Sequence, residues 1–197
     1  CPQRPTARGR TDSLNLKAIG LDTDKRGRIE VNERYQTAID HIYAAGDVIG
    51  FPALAATAME QGRLASCYMF DQEAQTSSEF LPYGIYTIPE ISMIGKTEQE
   101  LTEQKVPYEF GAARFDELAR GAILGVDIGY LKLLFHAKSL KILGVHIIGE
   151  SATELVHIGQ TVLSLGGTLK YFRDTVFNYP TLAEAYKVAA LDGINKL

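Results

Sequence analysis

The 197-residue chain carries 20 Lys and Arg against 24 Asp and Glu, for a formal net charge of −4 and a pI near 5.6. With no Lys/Arg-rich run, this excludes a nucleic-acid scaffold. A hydrophobic content of 46% allows a sizeable core in one large domain or two small ones, and no stretch approaches the roughly 18 uncharged apolar residues of a spanning helix, so nothing supports a membrane role.

The chain opens on Cys1-Pro2-Gln3-Arg4-Pro5 rather than Met and lacks the apolar core of a signal peptide. A piece of a longer protein is expected, with a lipidated Cys1 as the alternative. Cys1 and Cys67 are the only cysteines and have no C-x-x-C or zinc spacing, which fits a reducing compartment, the cytoplasm, and no metal site. Arg28 to Val31 alternates like a short strand after the turn at Lys25-Arg26-Gly27. Ile42, Tyr43, Ala44 and Ala45 read as a buried parallel strand, apolar and without polar alternation. Gly46 then lets the backbone turn and a ligand approach closely, while Asp47 sits at the strand's carboxyl end, where open α/β sheets hold their ligands. A helix predicted from Ala53 to Phe70 would turn its free N–H groups towards the same crevice, a position suited to an electron-rich ligand edge. Cys67 reads as a small core residue of that helix. The polar stretch Gln72 to Glu79 reads as a linker, which divides the chain into residues 1–75 and 80–197.

The second part has a different grammar. Strands are predicted over Tyr83 to Thr87, Ile91 to Ile94, Tyr108 to Phe115, Gly129 to His136 and Ile142 to Ile148. A helix from Thr97 to Gln104 carries a capping box between Thr97 and Glu100, and one from Ser151 to Leu165 carries a second, between Ser151 and Glu154, and ends at Gly166-Gly167. A last helix runs from Pro180 towards Leu197. Strands grouped before helices indicate an α+β layer rather than a second nucleotide fold. His41, His136, His146 and His157 lack metal-ligand spacing and read as structural. Glu98, Glu100 and Glu103 read as a solvated helix face.

Three segments in fixed order, I-Y-A-A-G-D-V from Ile42, P-Y-G-I-Y-T-I-P-E-I-S-M-I-G from Pro82 and G-V-H-I-I-G-E-S-A-T-E-L from Gly144, carry a resemblance over essentially the whole chain. The sequence resembles the FAD-dependent pyridine nucleotide-disulfide oxidoreductases. The resemblance implies the closing α/β segment of an FAD-binding domain followed by a C-terminal interface domain, through which such enzymes form homodimers or higher homo-oligomers. It implies that Asp47 bonds the flavin's ribitol and that Ala53, Leu54 and Ala55 present backbone N–H groups to the flavin N1 and C2 carbonyl region. Disulfide-reducing members carry histidine immediately before Pro-Thr and a glutamate five positions later. Here Tyr179 holds the histidine position and Glu184 keeps the glutamate position, so the chain supplies no catalytic residue of that kind. A phenol, with a reference pKa of about 10, does not shuttle protons at pH 7 as an imidazole does. The segment Phe177 to Gly193 resembles the branch that exchanges hydride between NADPH and NAD+ through FAD. A lipoamide dehydrogenase-like disulfide reductase is the runner-up, and a non-catalytic dimerisation module is what the isolated chain would be. No G-x-G-x-x-G occurs, so the FAD pyrophosphate loop, the NAD(P) site and any redox cysteine pair are expected upstream. The chain alone is expected neither to hold flavin nor to transfer hydride, and to dimerise through the apolar faces of the helices from Ser151 and Pro180.

Overall fold

The computed structural model describes residues 9–74 and 80–197. Cys1 and the linker residues 75–79 lie outside the described residues. The chain divides into two compact units, Cys1–Thr76 and Ser77–Leu197.

In the first unit Asp24 organises the predicted turn, its Oδ1 accepting from the N–H groups of Arg26 and Arg28 at 2.8 and 2.9 Å. The two predicted strands are reduced to single antiparallel bridges, Thr23 with Ile29 and Gln36 with Tyr43. The parallel strand expected at Ile42 to Ala45 therefore does not form, because a strand exists only through neighbours that pair with it. Among the described residues only the Gln36 segment runs beside it. Helix α1, Ala55–Met69, buries Thr57, Gln61, Leu64 and Ala65, a stripe at helical spacing. Cys67 is free and only half-buried, at the margin of that stripe rather than in the core.

The second unit is a five-stranded antiparallel sheet of β1 (Tyr83–Ile85), β2 (Ile91–Gly95), β3 (Tyr108–Arg114), β4 (Gly129–His136) and β5 (Ile142–Gly149), in the order β1-β2-β5-β4-β3. Between them lie α2 (Glu98–Glu103) and α3 (Ala119–Leu124), and after them α4 (Ala152–Ser164), α5 (Leu169–Asp174) and α6 (Glu184–Ile194). Alternate residues of the central strands, Leu131, Leu133 and Phe135 with Val145 and Ile147, form one core with Val156, Val162, Phe172, Tyr186 and Ala189 from the last three helices. The Tyr186 hydroxyl fixes α4 against α6: it donates to Leu155 O at 2.7 Å and accepts from Gly159 N at 3.1 Å.

The capping box at Thr97 forms as expected, Thr97 and Glu100 satisfying each other's backbone N–H groups. The second does not. Ser151 adopts φ 58°, in the left-handed region, and its side chain caps nothing. Glu90 takes its place from the β1–β2 connection, Oε2 accepting from Thr153 N at 3.1 Å and Thr153 Oγ1 at 2.7 Å, a carboxylate placed where the helix dipole favours it. The C-terminus of α4 ends as the glycine pair predicts: Gly166, at φ 68°, donates to Leu163 O and Gly167 to Val162 O. The last helix begins at Glu184 instead of Pro180, because residues 178–181 close their own turn through Thr181 Oγ1 on Asn178 O at 2.7 Å. The free edge of β3 is occupied by Asp192, which accepts from Ala112 N, and Lys196, which donates to Phe110 O and to Asp192.

The acidic face of α2 is not simply solvated. Glu98 is ion-paired with Lys132 of β4, while His146 of β5, across from Lys132, bonds Lys96 O through Nε2 at 3.0 Å. Burial pushes the His146 imidazole below its ordinary 6.5, and the Lys132 charge adds to this. The Lys132 hydrogen bond holds the Glu98 carboxyl low, and the Thr153 hydroxyl does the same for Glu90. As pH falls below 6.5 the unfolded chain gains a proton at His146 that the folded chain refuses, so stability falls. Below 4.5 the unfolded carboxyls gain protons that folded Glu90 and Glu98 refuse, and stability falls again. Urea midpoints followed by tyrosine emission should therefore drop in two stages on acidification, and His146→Gln should remove only the upper one.

Candidate functional site

The site is built from the turn that joins the Ile42 segment to α1. Ala45 is extended at φ −145° and ψ 159°, then Gly46 turns the chain at φ 79° and opens a short 3-10 segment, Gly46–Ile49. A side chain at Gly46 would be strained at that φ, and its Cβ would lie 3.1 Å from Ala58 Cβ of α1. The turn is closed by Gly50 N on Asp47 O at 3.1 Å and tied to the Ile29 bridge by Ile29 N on Val48 O at 2.9 Å. Asp47 is exposed, and among the described residues its carboxylate takes no hydrogen bond or ion pair.

Helix α1 starts two residues later than the sequence predicts. Leu54 is the N-cap, in extended conformation, and its carbonyl accepts the first helical bond from Ala58 N at 2.8 Å. Ala53 therefore precedes the helix, and the N–H groups left without an intrahelical acceptor are those of Leu54, Ala55, Ala56 and Thr57. No side chain caps them. Ala53, Ala55 and Ala56 are exposed, so only methyl groups flank these donors. The structure thus joins the turn of Gly46 and Asp47, through Gly46, to α1, the helix whose first turn carries Leu54 and Ala55. It adds a residue that sequence reasoning missed, Gln61, whose buried Oε1 accepts from Gly46 N at 2.7 Å. The one available signal was a polar residue within an apolar helical stripe.

In the second unit Tyr179 is 74% exposed. Glu184, the first residue of α6, has a buried Oε2 with no hydrogen-bond partner among the described residues. The two do not form a hydrogen-bonded pair. The buried faces of α4 and α6 pack on the sheet, while Leu165 at the end of α4 and Val188 and Leu191 of α6 stay exposed. Among the described residues of this unit, Tyr86 and Ile88 in the β1–β2 connection, Leu165 after α4, and Val176 and Tyr179 before α6 are the large apolar side chains left most exposed. Among the described residues no helix is long and apolar enough to cross a membrane, and no group of three or more His, Cys, Asp or Glu among them is placed to hold a metal.

Residues 81–190 match the pyridine nucleotide-disulphide oxidoreductase dimerisation domain, and residues 6–62 match the pyridine nucleotide-disulphide oxidoreductase domain. The chain belongs to this family of FAD-linked oxidoreductases. It is 59% identical over 189 residues to the soluble pyridine nucleotide transhydrogenase of Mycobacterium bovis BCG, covering 96% of this chain and 40% of that protein. The protein of the same name from Salmonella paratyphi B is 55% identical over 193 residues, covering 96% of this chain and 41% of that protein. The chain thus spans about 40% of the length of the curated relatives it matches. In fold it is similar to the HOCl-induced flavoprotein disulfide reductase RclA from Escherichia coli, with a TM-score of 0.86 at 22% identity over 93% of this chain and 43% of that one. LpdA from Mycobacterium tuberculosis gives a TM-score of 0.81 at 22% identity, over 93% of this chain and 40% of that one.

Proposed function

We propose that the protein carrying this chain is an FAD-dependent soluble pyridine nucleotide transhydrogenase, moving hydride between NADPH and NAD+ in the cytoplasm as a homodimer or higher homo-oligomer. The observation that carries the reading is Tyr179 in the position where disulfide-reducing members hold histidine, with a buried oxygen of Glu184 left without a hydrogen-bond partner among the described residues. Thiol reduction needs protons delivered to and taken from sulfur. Hydride exchange between two nicotinamides consumes and releases no net proton, so it tolerates tyrosine there. Sequences that bear the transhydrogenase name at 55–59% identity agree with this choice.

The residues present fit a flavin. An exposed carboxylate, four N–H groups without intrahelical acceptors and a rim of alanine methyls leave room for a planar ring edge against the backbone. FAD, when bound, supplies the two-electron relay between the nicotinamides. Asp47 would accept hydrogen bonds from ribitol hydroxyls, and the N-terminus of α1 would favour negative charge at the pyrimidine edge of the ring. The exposed Leu165, Val188 and Leu191 of the last helices, together with Tyr86, Ile88, Val176 and Tyr179, offer apolar surface to a second copy. The full-length protein should be assayed for NADPH to thio-NAD+ hydride transfer and for NADH-linked lipoamide reduction. Activity is expected in the first, and activity in the second alone would overturn the reading.

A further inference from the structure

We infer that Gln61 is a positioning residue that locks the Ala45–Asp47 turn onto α1, so that the carboxylate and the helix N-terminus meet the flavin as one rigid piece. The inference rests on the flavin reading above and adds a residue to it.

Gln61 lies on the buried stripe of α1 and is only 7% exposed. Its Oε1 receives the Gly46 N–H at 2.7 Å in a buried setting. That N–H belongs to the residue whose left-handed φ of 79° sets the direction in which Asp47 leaves the turn. Gly46 also packs against the methyl of Ala58, one helical turn before Gln61 on the same face. Two independent contacts, one polar and one steric, thus join the turn to the helix. Both come from the same helix whose first turn carries the free donors. A change in the turn relative to α1 would separate Asp47 from Leu54 to Thr57, and a ligand that must touch both would lose one of them. Preorganisation of this kind is what makes a pair of contacts count together.

Gln61→Met keeps the length and removes the acceptor. In the full-length protein it should lower FAD affinity, read by flavin fluorescence on titrating the apoprotein, by about tenfold, the scale of one lost buried hydrogen bond. Gln61→Glu keeps an acceptor and should leave affinity near the wild-type value. The deciding readout is the cycle with Asp47→Ala. If Gln61 acts by placing Asp47, Gln61→Met costs little further affinity once Asp47 is gone. A merely structural glutamine would cost the same in both backgrounds, and that additive result overturns the inference, as does an unchanged affinity in Gln61→Met. If Gln61→Met does not fold, amide exchange at Gly46 in the wild type decides: strong protection supports the lock, and exchange at solvent rates overturns it. A wild-type protein that takes up no FAD overturns both this inference and the flavin reading, whereas wild-type binding insensitive to Gln61 overturns this one alone.

Discussion

Replacing Gly111 by alanine is expected to destabilise the second unit by roughly 3 kcal/mol, at the upper end of overpacking costs. Gly111 lies in β3, paired with Leu133, on the side crossed by α6. A Cβ built there would sit 1.9 Å from Ala189 O and 2.7 Å from Gly193 N, and both are backbone atoms that no rotamer change can move aside. Gly193 faces it in turn, so helix and strand touch backbone to backbone through two glycines. The same contact brings Asp192 onto Ala112 N at 2.9 Å and Lys196 onto Phe110 O at 3.0 Å. Displacing α6 would therefore also release the β3 edge. It would disturb the buried Tyr186, whose hydroxyl bonds Leu155 O and Gly159 N. Urea unfolding of the Gly111→Ala chain is the check, and an unchanged midpoint would mean that α6 is not held at this crossing.

That crossing shows which parts of the fold were legible in the sequence. Elements long enough to repeat their period were readable: Gly129 to His136 forms β4 as predicted, and the Thr97–Glu100 box and the Gly166-Gly167 stop mark their helix ends through local hydrogen bonds. The six-residue helices α3 and α5 show too little periodicity to announce themselves. Contacts distant in sequence left no local trace. Glu90 caps a helix 63 residues away, in place of the serine next to that helix. Gly111 and Gly193 read as isolated glycines until the strand and helix meet, although a glycine within a strand is a recognised sign of close backbone approach. At the candidate site, the turn that carries Asp47 was legible because two glycines flank it after an apolar run. The start of α1 was misplaced because its N-cap, Leu54, carries none of the side chains that signal a cap. Gln61 was missed because its partner is a backbone N–H 15 residues earlier.

Asp47→Ala in the full-length protein is expected to weaken FAD binding by about 10- to 100-fold, since a hydrogen bond to a charged group contributes about 1.5–3 kcal/mol and each 1.4 kcal/mol is a factor of ten. The effect should appear in affinity and not in folding. Among the described residues the carboxylate of Asp47 bonds nothing, and the contacts that hold its turn, Gly50 N on Asp47 O, Ile29 N on Val48 O and Gly46 N on Gln61 Oε1, use none of its side-chain atoms. A turn aspartate with only a local structural role would give the reverse pattern, a lower urea midpoint with FAD affinity intact. Titrating the apoprotein with FAD and measuring the urea midpoint of the same variant separates the two. Affinity equal to wild type would remove Asp47 from the flavin contact and leave the N-terminus of α1 as the part of this turn still available to the cofactor.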